Sequence, residues 1–561
     1  MRRLAAGVLA GILVAVASAA AADSKLADAA MARDYDTVAA LLASGADVNA
    51  AQGDGTTALH WAAYHGDAAI VRTLLAAGAR VTARTRIGDM SPLYMAARRG
   101  SAPAISALLD AGADAREANT NGTTVLMVAA GAGDPEAVRV LVDHGAEVNA
   151  VEFTNGQTAL MFAAARGSVD AIQMLLEHGA DPDVRTRVFR LGRVEADENG
   201  NPLPEAGDPP PAAAGAPTAA QQQALAARRE ERVLGAKTVG GMSALHFAAR
   251  EGHLDAVQAL AAGGADLDLP NAGDRTPPMT EAIINGHLDI ARFLLERGAD
   301  PTLANADGLT PLYATVDVKW RANAWYPQPT IAEERTGYLE FMGQLIDHGA
   351  DVDARLGRKL WYRKYRYGDD WADPNGATAF WRAAQANDVA AMRLLIARGA
   401  DPTIATVHGV TPLLVAGGLG FEYQLTNIAP DARLAAVSYL VEELGADVRA
   451  KDELDYTVLH GAAYVGDNEV INYLAMHGAD PTARAKGRLG GTQGAVPVAA
   501  GEGDTVADMA NGPREKSLLH PESVRLLEAM GSANSNDCRS TACVNNTKPE
   551  KAETPKPPKP R

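Results

Sequence analysis

The chain has 561 residues, a formal net charge of −17 and a hydrophobic fraction of 47%. This charge argues against a general nucleic-acid-binding protein, which needs a basic face to neutralise phosphates, and against a peripheral protein of anionic membranes. The apolar content is sufficient for an extensive core, whereas aromatic residues, at 5%, are few. We therefore expect a core built mainly from alanine and leucine side chains.

Residues 1–22 predict an export signal. Arg2 and Arg3 precede an apolar run from Leu4 to Ala17, and alanines follow at positions 20–22. Because the run is short for a membrane span, we expect cleavage near Ala22 and a mature chain that does not span the membrane. The expected location is periplasmic or secreted. An uncleaved membrane anchor is the alternative.

The stretch from Gly55 to Arg86 shows the unit from which the chain is built. Thr57 suits a helix N-cap, and the short apolar helix after it stops at Gly66. A second helix carries apolar residues at helical spacing and ends at Gly78, and residues typical of an exposed hairpin follow. Neither helix has enough apolar surface to fold alone, so the unit needs copies of itself beside it.

The unit recurs along almost the whole chain. The glycine that ends the second helix recurs, at first every 33 or 34 residues, at Gly45, Gly78, Gly112, Gly145, Gly179, Gly264, Gly298, Gly349, Gly399, Gly445 and Gly478. The matching starts of the first helix lie at Thr57, Ser91, Thr124, Thr158, Ser243, Thr276, Thr310, Thr378, Thr411 and Thr457. So many occurrences in phase make this a specific signal.

The period, and starts such as Thr-Ala-Leu-His at 57–60 and Thr-Pro-Leu-Tyr at 310–313, resemble the ankyrin repeat family. The resemblance implies an all-α solenoid, an ankyrin repeat stack in which each unit is a helix-turn-helix with a hairpin finger. It also implies that His60, His246 and His460 form hydrogen bonds to the backbone between units. Ankyrin arrays are overwhelmingly protein-binding scaffolds, so non-catalytic recognition of another macromolecule is the expected function.

The spacing of the repeats predicts five segments. Residues 1–22 are the signal, and residues 23–187 hold an N-terminal cap, of which only the second helix is recognisable, and four regular repeats. Residues 188–238 form a Pro/Ala-rich finger insertion, and residues 239–531 hold repeats with aromatic insertions and a degenerate C-terminal cap. Residues 532–561 predict a disordered Lys/Pro-rich tail. Longer intervals place further insertions at about 317–336, 356–374 and 417–431, and a Gly-rich stretch covers 487–503.

Two of these insertions predict a partner-binding clamp. Five of the six tryptophans lie between positions 320 and 381, and the finger insertion from Gly357 to Pro374 is locally basic. The predicted contacts are Trp320, Trp325, Tyr326, Trp361, Tyr362, Arg363, Tyr365, Arg366, Tyr367, Trp371 and Trp381. In an ankyrin-like stack the two insertions would lie on opposite rims of a groove, and aromatic and arginine side chains are typical of interface hot spots.

Two other interpretations of this cluster compete with the clamp. The aromatic side chains could pack on each other and hold the insertions against the stack, which would be a structural role. Basic residues interleaved with aromatic ones are also typical of single-stranded nucleic-acid binding. Export and the negative net charge argue against a nucleic-acid partner.

The sequence predicts no enzyme, cofactor or metal site. His144, His178, His348 and His477 each precede a closing glycine, where a helix C-terminus favours positive charge, and no metal-ligand spacing occurs. No nucleophile elbow or phosphate-binding loop appears in the required context. The only cysteines, Cys538 and Cys543, can form a disulfide in an exported protein or remain free thiols.

The expected function is that of a monomeric scaffold or adaptor that binds a protein of unknown identity in the cell envelope or outside the cell. A secreted effector that binds proteins of another cell is one alternative. An aromatic-lined module that binds carbohydrate or a cell-wall polymer is the other.

Overall fold

A computed structural model describes residues 24–191, 237–320, 331, 334–358, 360, 372–421, 428, 432–489, 495–514, 517–535 and 538–540. These residues form mostly short helices, together with two small two-stranded sheets. The chain divides into two compact units, which we call unit 1, up to Glu281, and unit 2, from Ala282 onward. No described helix is long and apolar enough to cross a membrane.

The helices of unit 1 come in pairs. They are α1 Lys25–Met31, α2 Tyr35–Ala43, α3 Ala58–His65, α4 Ala68–Ala76, α5 Pro92–Arg99, α6 Ala102–Asp110, α7 Val125–Ala132, α8 Pro135–Asp143, α9 Ala159–Arg166, α10 Val169–Glu177, α11 Ala244–Glu251 and α12 Leu254–Ala262. Strands β1 Val188–Leu191 and β2 Lys237–Gly240 lie between α10 and α11, and α13, Pro278–Ile284, contains the division between the units.

Local signals in the sequence set the helix ends. The Ser91 hydroxyl accepts a 3.0 Å hydrogen bond from the Tyr94 backbone N–H at the start of α5, and Asp67 caps α4 in the same way. Gly78 follows α4 with φ at 90°, a left-handed conformation that a residue with a Cβ adopts only with strain. All the closing glycines predicted from the sequence have positive φ, so the repeat boundaries are confirmed.

The core of unit 1 lies between two rows of helices. The first helices α3, α5, α7, α9 and α11 pack on each other in sequence, and the second helices form a neighbouring row. Paired alanines such as Ala62 and Ala63, or Ala96 and Ala97, are fully buried in the first row. Their small side chains let adjacent helices approach closely, which explains a core with few aromatic rings.

The N-terminal cap differs from the prediction that only its second half would form. It has both helices, because Leu26, Ala27 and Ala30 of α1 are buried and α1 packs on α3. The start of α1 lacks the Thr-Pro-Leu-His pattern, which is why the sequence pattern missed it. A helix with small apolar residues on one face can close the stack without that pattern.

The long insertion of unit 1 begins and ends as paired strands. Strands β1 and β2 are antiparallel, with Val188 opposite Gly240 and Leu191 opposite Lys237, as the base of a finger would be. Helices α9 and α11, on either side of the insertion, pack directly on each other. The repeat stack of unit 1 therefore continues as though residues 192–236, which lie outside the described ranges, were absent.

Unit 2 repeats the same plan with longer connections. Its elements are α14 Leu288–Glu296, α15 Pro311–Lys319, α16 Tyr338–Asp347, α17 Ala379–Gln385, α18 Val389–Ala397, α19 Pro412–Ala416, α20 Arg433–Ser438 continued by a π-helical turn Tyr439–Glu443, α21 Val458–Val465, α22 Asn468–Met476, β3 Gly487–Leu489, β4 Ala495–Pro497, α23 Val506–Ala510 and α24 Pro521–Ala529. The insertion predicted from position 317 starts later, because α15 extends to Lys319 and buries Asp317.

The C-terminal cap extends beyond the predicted boundary at position 531. Ser535 donates two 2.7 Å hydrogen bonds to the Asp508 carboxylate, and the Ser540 hydroxyl donates to the Ser517 carbonyl at 2.6 Å. Arg539 pairs with the buried carboxylate of Asp504. The predicted disordered tail is therefore wrong for its first residues, whose polar side chains satisfy buried groups of the cap.

Candidate functional site

The structure describes only two of the eleven residues predicted to form the aromatic clamp, Trp320 and Trp381. The others lie outside the described residues, and their role stays a prediction; they are Trp325, Tyr326, Trp361, Tyr362, Arg363, Tyr365, Arg366, Tyr367 and Trp371. Both described residues belong to unit 2 and have structural partners.

The assignment of Trp381 to a binding surface is wrong. Its side chain is completely buried, and its indole Nε1–H donates a 2.9 Å hydrogen bond to the Val410 carbonyl. Trp381 occupies the position that histidine has in three other repeats, and it makes the same kind of bond to the next finger. It is therefore a core residue that links two repeats.

Trp320 is half-buried and anchors the start of its insertion. Its Nε1–H donates to the Asp388 carboxylate at 2.7 Å, and the Tyr338 hydroxyl donates to the same oxygen at 2.8 Å. Burial, and then the nearby Asp388 carboxylate, raise the pKa of Tyr338. Asp388 also caps α18 by accepting the Ala391 N–H at 3.0 Å. One carboxylate thus ties together both ends of the insertion and the next repeat.

A buried ion pair supports this anchor. The Arg382 guanidinium donates to Asp317 through Nε at 2.7 Å and to the Trp320 carbonyl through Nη2 at 2.7 Å. Both charged side chains are almost completely buried. Since a buried ion pair is stable only with good geometry and further hydrogen bonds, this network fixes the backbone where the insertion leaves α15. The described part of the predicted clamp therefore has a structural role.

The predicted role of the repeat histidines is confirmed. His60 Nε2 lies 3.1 Å from the Met90 carbonyl, His246 Nε2 lies 3.0 Å from that of Thr276, and His460 Nε2 lies 3.3 Å from that of Asp504. The Nδ1 atom of each ring accepts a backbone N–H at the helix start, so Nε2 carries the proton and donates. Each ring therefore joins its helix to the next finger.

The fingers are also joined at their tips by backbone hydrogen bonds. In each case an N–H of one fingertip donates to a carbonyl of the preceding finger. In unit 1 the bonds join Arg86 to Asp54, Phe153 to Asn121, Arg187 to Asn155 and Ala272 to Gly241; in unit 2 they join Gly357 to Asp307, Val407 to Asn375, Glu453 to His408 and Lys486 to Leu454. We call this edge of each unit its fingertip edge.

The fingertip edge of unit 1 carries exposed apolar side chains. Ile87 is 73% exposed and Phe153 is 63% exposed, and Val151, Val188 and Phe189 are each more than 40% exposed. Of the other large apolar residues described in unit 1, only Met31 and Tyr64 are exposed to this degree. Contiguous exposed apolar side chains mark interaction sites, whereas isolated ones are ordinary.

The position of Phe153 is set by the buried carboxylate beside it. Glu152 accepts the backbone N–H groups of Thr154 at 2.7 Å, Asn155 at 2.6 Å and Gln157 at 3.1 Å, which folds the finger into a tight loop. Burial opposes ionisation of Glu152, but these N–H groups lower its pKa overall. The Phe153 ring lies against the backbone of Gly122, where an added Cβ would come within 2.9 Å of the ring.

Arginine side chains flank these apolar groups. Arg86, Arg185 and Arg187 are exposed, and the Arg187 stem covers Gly156, where an added Cβ would lie 3.1 Å from its Cγ. The Arg187 guanidinium donates to the Phe153 carbonyl, which places a cation beside the ring. Arginine and aromatic side chains together are typical of interface hot spots.

A smaller aromatic group lies on α3 of the same unit. Trp61 and Tyr64 lie edge to face with ring centroids 5.8 Å apart, and Tyr64 is exposed. The Trp61 indole N–H donates to the Gln52 side chain at 2.9 Å, which fixes the ring. This pair adds a second apolar contact area to unit 1.

The fingertip edge of unit 2 is different because its charges pair with each other. His408 Nδ1 lies 2.8 Å from the Glu453 carboxylate and His408 Nε2 lies 3.3 Å from that of Asp373, so one imidazole joins three fingers. Lys486 pairs with Asp455 at 3.1 Å farther along. Among the fingertip residues of unit 2 named above, Val407, at 57% exposure, is the one large apolar side chain that is strongly exposed, whereas unit 1 has five such side chains on its edge. The edge of unit 1 is therefore the stronger candidate surface.

The repeat pattern does not predict this surface, although the sequence contains a signal for it. Phe153 and Ile87 are large apolar residues in segments that otherwise have the polar, glycine-rich composition of exposed hairpins. An apolar residue at the tip of a finger cannot contribute to the core of the stack.

The described residues contain no group of histidine, cysteine and acidic side chains that could hold a metal ion. Cys538 is disulfide-bonded, and its predicted partner Cys543 lies outside the described residues, so that pairing stays a prediction.

Comparison with protein families gives matches across more than half of the chain. A model described as three copies of the ankyrin repeat matches residues 26–118, 93–186 and 218–315. A single ankyrin repeat model matches residues 375–407 and 454–486.

A similar curated protein is alpha-latrocrustotoxin-Lt1a of Latrodectus tredecimguttatus. It is 32% identical over 117 residues, which is 21% of this chain and 7% of that protein. The chain thus matches only a small part of the length of this relative.

Proposed function

Because the chain belongs to the ankyrin repeat family, we propose that it is a non-catalytic scaffold that binds another protein in the cell envelope or outside the cell. Proteins of this family are protein–protein interaction modules and are generally non-catalytic. The row of exposed apolar side chains on the fingertip edge of unit 1 is the observation that supports this proposal most.

The composition of this edge suits a protein partner. Apolar side chains supply area that loses water on binding, and the arginines beside them add directional hydrogen bonds. The tips are fixed before any partner arrives, because backbone bonds join neighbouring fingers and the Glu152 carboxylate holds the Phe153 loop. A preformed surface spends less conformational entropy on binding.

Photo-crosslinking tests the binding surface. A photoreactive amino acid at position 153 is expected to capture a protein from cells, whereas the same group at position 72, on the exposed side of α4, is not. The double variant Phe153→Ser, Phe189→Ser should lose the partner and keep the circular dichroism melt of the wild type. Equal capture from both positions would remove the fingertip edge as the site.

The aromatic insertions provide the matched comparison. In a variant with residues 360–371 replaced by Gly and Ser, the partner should still crosslink at position 153. If this variant loses the partner while Phe153→Ser keeps it, the insertions of unit 2 are the binding site instead.

The proposed location rests on residues 1–22, which have the composition of an export signal. Cell fractionation tests it: the chain should appear in the periplasm or the medium, without the first residues. A full-length chain found only in the cytoplasm would contradict the proposal.

A further inference from the structure

We propose that the fingertip edge of unit 1 recognises an extended acidic segment of its partner that also carries large apolar side chains. This inference rests on the proposed protein-binding function and adds the chemistry of the partner to it.

Among the described residues the exposed charge of this edge is mainly positive, with Asp54 as an exposed acidic residue, although the chain as a whole is strongly acidic. The carboxylate of Glu152 is buried by its backbone hydrogen bonds, and that of Glu117 is buried and pairs with Arg84 at 3.0 Å. Asp89 is half-buried, and it also lies 3.8 Å from Arg84. Arg86, Arg185 and Arg187 are exposed, and in the described part of the chain none of them forms an ion pair. A partner with negative charge is therefore complementary to this edge.

The arginines are positioned in advance for a carboxylate. The Arg86 guanidinium donates to the Gly53 carbonyl at 3.0 Å, that of Arg185 donates to the Pro270 carbonyl at 3.3 Å, and that of Arg187 donates to the Phe153 carbonyl. A guanidinium has five N–H donors, so one bond to a carbonyl fixes its place and retains capacity for a two-point bond to a carboxylate.

The spacing of the tips fits an extended chain. Neighbouring repeats place equivalent positions about 8–10 Å apart, and an extended chain advances about 3.3 Å per residue, so roughly every third residue meets a tip. Arg187 and Phe153 are tips of neighbouring repeats, and Arg86 is two repeats before Phe153. The expected pattern is an acidic residue, an apolar residue three positions on, and a second acidic residue six positions farther.

An anionic membrane surface has similar chemistry, but the geometry favours a peptide. The tips form a single row in which backbone bonds join most neighbouring fingers, and a row matches a line of contacts better than a plane. The Phe153 ring also lies against the Gly122 backbone instead of projecting away from the finger. A bilayer would be bound better by rings that project from the surface.

Fluorescence anisotropy with the full mature chain tests the inference. The probe is a labelled ten-residue peptide with glutamate at its first and last positions, leucine at its fourth and seventh positions, and serine elsewhere. It should bind, and binding should weaken as salt rises from about 0.05 to about 0.5 M. A peptide with lysine in place of glutamate should not bind.

Charge variants locate the binding. The double variant Arg86→Glu, Arg187→Glu should weaken binding of the glutamate peptide by at least about tenfold. The control variant Arg72→Glu, on the exposed side of α4, should leave this affinity unchanged. Arg187→Lys keeps the charge but loses the two-point bond, so it should weaken binding of the glutamate peptide less than the double variant does. This variant, with circular dichroism melts of all forms, separates loss of charge from loss of folding.

Three results would overturn the inference: no binding of the glutamate peptide, equal binding of the lysine peptide, or unchanged binding in the double variant. Selective binding to vesicles of anionic phospholipid would overturn it in favour of a membrane. If position 153 crosslinks a protein whose bound segment is basic, the proposed function stands and this inference fails. If the glutamate peptide binds and no protein crosslinks at position 153, only the proposed function fails.

Discussion

Trp381 and the histidines at the same repeat position use different rings for one purpose. Each ring donates from its far nitrogen to a carbonyl at the base of the next finger, across about 3 Å. The indole can do this because its N–H is a permanent donor, whereas the imidazole needs its Nδ1 occupied as an acceptor. The bond between repeats is what the position requires.

Substitutions of Trp381 should separate the contribution of its hydrogen bond to stability from the contribution of its packing. Trp381→Phe keeps a large ring but loses the donor, so unit 2 should lose about 1–3 kcal/mol of unfolding free energy because a buried carbonyl is left unpaired. Trp381→Ala should cost about 3–5 kcal/mol because it also leaves a cavity. Urea unfolding measures both. Equal losses for the two variants would show that packing alone matters.

The buried histidines should make the stability of unit 1 fall at acid pH. Burial lowers the pKa of His246 to about 4, although its hydrogen bond to Thr276 opposes the shift. The unfolded chain binds this proton below about pH 6.5 and the folded chain only near pH 4, so stability is lost as the pH falls between these values. The loss at pH 5 should be on the order of 2 kcal/mol.

The measurement for His246 is urea unfolding at pH 7.5 and pH 5. The variant His246→Gln cannot take up the proton, so its stability should change less between the two conditions than that of the wild type. Parallel pH profiles for the two proteins would rule out this histidine as the source of the acid sensitivity.

At the level of secondary-structure elements, the fingers of unit 2 have the opposite pH dependence. Burial alone would lower the pKa of His408, but its contacts with Glu453 and Asp373 raise the pKa above its ordinary value. The two ion pairs are therefore complete below about pH 6.5 and are lost as the pH rises through the higher pKa of the folded protein. Because the side chains are partly exposed, the gain should be below about 1 kcal/mol.

Hydrogen exchange measures this effect at the fingertips. The N–H of Glu453, which bonds to the His408 carbonyl, should exchange more slowly at pH 5.5 than at pH 8, after correction for intrinsic rates. In His408→Gln this difference should disappear, and the N–H of Phe153 in unit 1 provides a control in both proteins. The same pH dependence in the variant would exclude His408 as its cause.

The sequence predicted these elements well wherever a local rule determines them. The closing glycines marked the end of each repeat because a left-handed residue is needed there, and the repeat histidines indicated their own hydrogen bonds. Helix α1 was missed because only its tertiary packing holds it. Trp381 was assigned to a surface because composition does not distinguish a ring that faces the core from one that faces solvent. Phe153 was missed because its exposure depends on the fold of one finger.

At the scale of the whole molecule, the stack needs closed ends. The C-terminal end is closed by residues 532–535 and 538–540. Arg539 pairs with the Asp504 carboxylate, and Tyr456 donates to the same carboxylate at 3.1 Å. A buried carboxylate that loses its cation is costly, because breaking a buried pair from one side removes about 3–5 kcal/mol. The last repeat therefore depends on a segment that carries no repeat pattern.

Truncation tests this dependence. A chain that stops after Gly531 should unfold with about 3 kcal/mol less stability in unit 2, because Asp504 loses Arg539. A chain that stops after Val544 keeps both cysteines and all the described residues of this segment, so it should match the full chain in a thermal melt. Equal stability of the two truncated chains would show that the segment is not part of the cap.

The direct packing of α9 on α11 has a consequence for how this molecule could be rebuilt. The packing of the repeats in unit 1 does not depend on the length of the segment between β1 and β2. The entropic cost of closing a longer loop also grows only slowly with its length. Paired strands lie about 5 Å apart, so a folded domain whose N- and C-termini lie close together could be inserted between β1 and β2. The insertion is therefore a suitable site for domain insertion. A reporter or a second binding module could be inserted there without any substitution in the repeats.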